Sequence, residues 1–170
     1  KYRYADRFVE DSTRFWVYAD GSYHDVAEEV GIVDNGISHG VVSFDMDSDG
    51  DLDLLIARAN ETPLLYRNDG RDESANEVLT IRMFDPCNPA NPWADGARVE
   101  VTASEGDDPL VRWVGTSGSY ESQQPPALHF GLGELDGPVA RVEVLWPGTT
   151  EPQVLTDVDP NEPVVLERAT

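Results

Sequence analysis

"FDMDSDGDLDLLIA", Phe44 to Ala57, sets an aspartate at every second position from Asp45 to Asp53 and then runs straight into an apolar segment. A hard cation such as Ca2+ takes about six to eight oxygen ligands, and a tight loop supplies them best from carboxylates on alternate residues with a glycine at the sharp turn. Asp45, Asp47, Asp49 and Gly50 meet that demand. The same opening begins an EF-hand loop, which requires a bidentate acid at its twelfth position; counted from Asp45, that residue is Ile56. The flanks "GVVSF" and "LDLLIA" also have strand character where an EF-hand needs helices. The spacing therefore predicts a Ca2+ loop joining two strands. Asp53 is expected to fold back and complete the shell begun by Asp45, Asp47 and Asp49, with Asp51 giving its backbone carbonyl. Without metal these carboxylates repel one another, so ion binding and local folding are linked. The competing reading is a solvated acidic run in an acidic chain. Against it stands the position of the run between apolar strands, where unneutralised charge is costly.

Working outward, short alternating apolar runs separated by Gly, Pro, Asn and Asp recur along the whole chain, and helical spacing is almost absent. Strands are predicted at 14–19, 40–44, 52–58, 64–68 and 77–84, then at 97–103, 110–115, 127–132, 139–146, 153–158 and 163–168. The clean alternation of "ARVEVTA" and "VARVEVLW" implies sheets with one buried and one wet face. Only "DVAEEVG" (25–31) resembles a helical turn. The polar stretch "NDGRDESANE" (68–77) is the expected domain boundary, and the proline-rich "DPCNPANPWADG" (85–96) reads as a long loop within one sheet. The chain is thus expected to be all-β, with an N-terminal strand segment (1–22), a repeat unit (23–75) and a C-terminal antiparallel β-sandwich (76–170).

The chain has 170 residues with 33 acids against 12 bases, a formal net charge of -21. Such a charge repels nucleic acid and anionic membrane surfaces, so no nucleic-acid partner is expected. Lys1 is the single lysine; this bias fits either high-salt adaptation or GC-rich coding. No apolar run approaches the roughly 18 to 20 residues that span a bilayer, so no transmembrane segment is expected. The opening "KYRYADRFVE", without Met or a signal-peptide pattern, suggests a processed form, a domain of something larger, or the ordered part of a longer protein. The lone Cys87 cannot close an intrachain disulfide.

The aspartate loop and its flanks resemble the FG-GAP/VCBS type of β-propeller repeat. "YHDVAEEVGI" (23–32) matches the repeat's opening, "HGVVSFDMDSDGDLDLLIA" (39–57) its calcium hairpin and "PLLYRNDG" (63–70) its closing strand. The second half is similar to the ASPIC/UnbV domain that follows such repeats in the cartilage acidic protein family and its bacterial relatives. The matching residues are "GARVEV" (96–101), "GSYESQQPPALHFGLGE" (118–134) and "VARVEVLWPGT" (139–149). The resemblance implies metal ligands at Asp45, Asp47, Asp49, Asp53 and the Asp51 carbonyl. A propeller needs about four or more blades, whereas this chain holds one repeat. It is read either as the end of a longer propeller or as a lone blade packed against the sandwich or a neighbouring subunit.

Two function classes follow. The first is an extracellular or cell-surface, calcium-binding, non-enzymatic module that binds a protein or carbohydrate ligand, or copies of itself through β-strand edges. The second is an accessory or catalytic domain of a carbohydrate-active enzyme using Asp/Glu residues. No catalytic residue is assigned: the sequence has no G-x-S-x-G elbow and no Cys-His arrangement, and His24, His39 and His129 lack metal-ligand spacing. Asn60, in the sequon "NET", is a possible glycosylation site. The four tryptophans are mostly core candidates, Trp93 in the proline-rich loop being the one best placed among them to be exposed for binding. The Gly-rich loop "GTSGSYESQQ" (115–124) reads as turn-forming.

Overall fold

The computed structural model describes residues 12–70, 75–115, 118 and 122–168. Its strands are β1 (Trp16–Ala19), β2 (Ser22–Asp25), β3 (Ser38–Phe44), β4 (Asp53–Arg58), β5 (Leu64–Tyr66) and β6 (Asn76–Phe84), followed by β7 (Arg98–Thr102), β8 (Leu110–Trp113), β9 (Ala127–Glu134), β10 (Arg141–Leu145), β11 (Gln153–Leu155) and β12 (Val164–Glu167). They form a hairpin, β1-β2, and three sheets ordered β3-β4-β5, β12-β6-β9 and β11-β10-β7-β8. The fold is all-β, as the alternation predicted. Every predicted strand is present with boundaries shifted by a few residues, and "SYHD" adds β2. Asp20 and Gly21, both with positive φ, make the two-residue turn that closes this hairpin. The predicted helical turn is a run of turns, closed by hydrogen bonds from Val30 N to Val26 O (3.0 Å) and from Ile32 N to Ala27 O (2.8 Å).

The core sits in the C-terminal part. Leu79, Ile81 and Met83 of β6, Phe130 of β9 and Leu166 of β12 share one buried cluster with Val99 and Val101 of β7 and Val142 and Val144 of β10. Alternate residues of the sheets β12-β6-β9 and β11-β10-β7-β8 therefore share this cluster, each buried side chain contributing about 1.5–3 kcal/mol. The expected antiparallel sandwich is corrected in one pair: β12 runs parallel to β6, reached by a long crossover rather than a hairpin, and Arg168, just after β12, fastens it to the end of β6. Its amide donates to Phe84 O (3.2 Å) and its guanidinium to the buried Asp85 (3.0 Å).

Residues 12–70 bury little. Their buried apolar side chains are Ala27, Ile32 and Ile56, while Trp16, Tyr18, Tyr23, Ile37 and Leu65 are exposed. A small sheet with so thin a core needs polar pins or a partner. One pin lies at the far end of the β3-β4-β5 meander, where buried Asp34 accepts from Gly36 N (2.8 Å), Ser38 Oγ (3.0 Å) and Arg58 Nη1 (3.1 Å). The outer edge of β3 is covered by side chains from the C-terminal part: Ser122 Oγ donates to Val41 O (3.0 Å) and Ser43 N donates to Gln124 Oε1 (3.2 Å).

Two of the four tryptophans, Trp16 and Trp113, depart from the expected core placement. Trp146 is buried, its Nε1 donating to Gln153 Oε1 (2.9 Å), but Trp16, Trp93 and Trp113 are all more than half exposed. Trp16 lies on a hairpin whose residues are exposed on both faces. Trp113 ends β8 opposite Arg98, whose guanidinium lies 6.0 Å from its ring.

Candidate metal loop

Phe44 and Asp53 are directly paired as β3 meets β4, so the intervening residues must reverse the chain. Gly50 (φ 95°) supplies the left-handed turn that its lack of Cβ permits, and Ser48 (φ 64°) adopts a second. Aspartate side chains fold the loop inward. Asp45 accepts from Ser48 N (2.7 Å) through Oδ1 and from Gly50 N (3.2 Å) through Oδ2, and Asp49 Oδ1 accepts from Asp51 N (2.8 Å).

The result is convergence. One carboxylate oxygen from each of Asp45, Asp47 and Asp49 lies within 4.8 Å of the others. Lost hydration, and next the negative charges of Asp49 and Asp53, push the Asp47 carboxyl above its usual range, with Arg67 pulling the other way.

Asp51 and Asp53 do not join that cluster. Asp53, fully buried at the start of β4, accepts from Met46 N (2.8 Å) and Asn68 N (2.8 Å). It thereby ties the loop's first turn to the residues that follow β5. Arg67, one residue earlier, reaches Asp47 (3.5 Å) and Asp69 (2.6 Å).

Asn60 is exposed in the turn between β4 and β5, with φ 57°. Cys87 is an exposed free thiol. Tyr120 and half of the Gly-rich loop 115–124 lie outside the described residues. The structural anchors Asp34 and Asp85 were not singled out from sequence. The legible signal at Asp34 is "DNG" (34–36), an Asx-turn pattern.

Two adjoining depressions of about 470 and 420 Å3 lie away from the loop. The first is lined by residues including Ser104, Glu105, Asp136, Thr156 and Asp157, the second by residues including Glu77, Asp157, Asp159 and Asn161. Among the described residues no helix is long and apolar enough to cross a membrane.

Comparison with known families places the C-terminal part in a class. Residues 88–170 match the family model described as ASPIC and UnbV. This stretch, holding β7 to β12, is thus similar to the ASPIC/UnbV domain; the aspartate loop lies outside the match. No curated protein matches the chain.

Proposed function

We propose that the chain is a calcium-binding, non-enzymatic interaction module that works outside the cell, its aspartate loop attached to an ASPIC/UnbV β-sandwich. The observation that carries the reading is the convergence of Asp45, Asp47 and Asp49 within 4.8 Å. Oxygens on opposite sides of a Ca2+ ion, each at about 2.3–2.6 Å, are about 4.6–5.2 Å apart, so this donor set fits the ion's size and its preference for hard oxygen ligands. Bound there, the ion would add positive charge among the three carboxylates beyond what the single guanidinium of Arg67, on Asp47, supplies. Asp51 is proposed to add its carbonyl. Asp53 then acts from the base of the loop, as a ligand through its remaining lone pairs or by holding the first turn in place.

Calcium near the millimolar level outside cells makes a modest affinity sufficient, which supports an extracellular setting. In that setting Asn60, exposed at its turn, is positioned to carry a glycan. The FG-GAP/VCBS reading of residues 23–75 is supported by the strand-loop-strand placement of the aspartates and by the closing strand β5. The exposed aromatic side chains of β1 and β2 support a binding role, toward protein, carbohydrate or a second copy.

Titration of CaCl2 into chelator-stripped protein, followed by calorimetry, tests the reading. Wild type should give a saturable binding heat that the Asp47→Ala, Asp49→Ala double variant lacks; identical traces would discard the site.

The carbohydrate-active alternative is favoured by one observation, the depression that collects Glu105, Asp136 and Asp157. Loss of glycoside hydrolysis on changing these acids to amides, with calcium binding intact, would favour it.

A further inference from the structure

We propose that Arg67 is the built-in counter-cation of the aspartate loop and weakens its affinity for a divalent ion by competing for Asp47, an inference that rests on the calcium reading above. The position of Arg67 is dictated by the fold. It follows β5 directly, where Tyr66 pairs with Leu54 of β4, and the next residue, Asn68, donates its amide to Asp53 at the loop base. The backbone on both sides of Arg67 is therefore held beside the loop, and its side chain extends between two carboxylates. Nη1 lies 3.5 Å from Asp47 Oδ2 and Nη2 lies 2.6 Å from Asp69 Oδ1.

The two contacts are unequal, and the inequality matters. A divalent ion among Asp45, Asp47 and Asp49 repels a guanidinium on Asp47, so binding must move the arginine or tolerate it. Asp69 makes the shorter contact and is not one of the converging aspartates. It gives the guanidinium a second anion to rest on once the ion takes Asp47. Arg67 thus relieves carboxylate repulsion in the metal-free loop and opposes the ion in the loaded one, both effects lowering affinity. Because the arm is exposed, its influence is modest and salt-sensitive.

The test is calcium titration of the full chain, wild type against Arg67→Gln, Arg67→Lys and Arg67→Glu, with Arg141→Gln as a control for net charge alone. Arg67→Gln should bind calcium about three- to tenfold more tightly at low salt, and Arg67→Glu more tightly still. Arg67→Lys should stay within about twofold of wild type, and Arg141→Gln should not change. The gain should shrink at about 0.5 M salt. Asp69→Asn should weaken binding in the wild-type background and lose much of that effect in the Arg67→Gln background, a coupling that a purely additive charge effect would not give. If wild type binds calcium and the glutamine and glutamate variants bind no more tightly, the inference is overturned while the calcium reading stands. If neither wild type nor Arg67→Gln binds calcium at millimolar concentration, the calcium reading fails and takes the inference with it.

Discussion

Asp34 and Asp53 are both withdrawn from water, and each is retained because its oxygens are answered by donors. Asp53 accepts two backbone amides, so Asp53→Ala leaves both donors unmet and should cost about 2–4 kcal/mol in urea unfolding; Asp53→Asn, which keeps one acceptor, should cost less. At Asp34 burial pushes the carboxyl upward, but hydrogen bonds from Gly36 and Ser38 and the ion pair with Arg58 outweigh it, holding the group below the ordinary carboxylate range. A lowered folded-state pKa means that this contribution is present above the unfolded carboxylate value and is lost as pH falls through the folded one. Thermal melts from pH 7 down to about pH 3 should therefore show a steep decline below about pH 4. Asp34→Asn should lower the neutral-pH plateau and flatten that decline.

At the scale of elements, β3 has one edge paired with β4 and the other covered by Ser122 and Gln124. A single repeat was expected to leave open edges for association. This one is instead occupied by side chains that satisfy Val41 O and Ser43 N, a device that discourages strand addition. Gln124→Ala should destabilise the meander by about 0.5–1.5 kcal/mol and raise concentration-dependent light scattering, since Ser43 N is then free to pair with another chain. Ser43 lies two residues before Asp45, so the same contact joins the stretch that matches ASPIC/UnbV to the strand that leads into the aspartate loop. The β3-β4-β5 meander is pinned at both ends by buried carboxylates, Asp34 at one and Asp53 at the other.

For the whole molecule, burial is lopsided: the C-terminal sheets share one core, while residues 12–70 expose Trp16, Tyr18 and Tyr23. The thinly packed part should respond most to ligands. An ion bound to the native loop at a hundred times its dissociation constant adds about 2.7 kcal/mol, a large share of what so thin a core supplies. Calcium should therefore raise the melting midpoint of a first, N-terminal transition and leave a second, core-dominated one nearly unmoved. Scanning calorimetry with calcium and with chelator checks this; a single transition shifted as a unit would show that the two parts unfold together. Mass measured in solution under both conditions decides whether the exposed aromatic hairpin recruits a second copy.

How much was legible follows from which signals are local. Period-two alternation in "ARVEVTA" and "VARVEVLW" is a property of neighbouring residues, so β7 and β10 and their buried valines could be read directly. The aspartate spacing with Gly50 was equally local, and Asp45, Asp47 and Asp49 do converge. Burial of Asp34, Asp53 and Asp85, by contrast, depends on donors contributed from elsewhere: Arg58 to Asp34, Asn68 to Asp53 and Arg168 to Asp85. The exposure of Trp16 and Trp113 likewise depends on what covers a sheet face, which composition does not encode. The sequence alone determined the all-β class and the acidic loop, because both arise from spacing along the chain. Only the tertiary structure decided that Asp53 holds the loop's base, that Arg67 stands over Asp47, and that Gln124 covers β3, because each is a contact between distant segments.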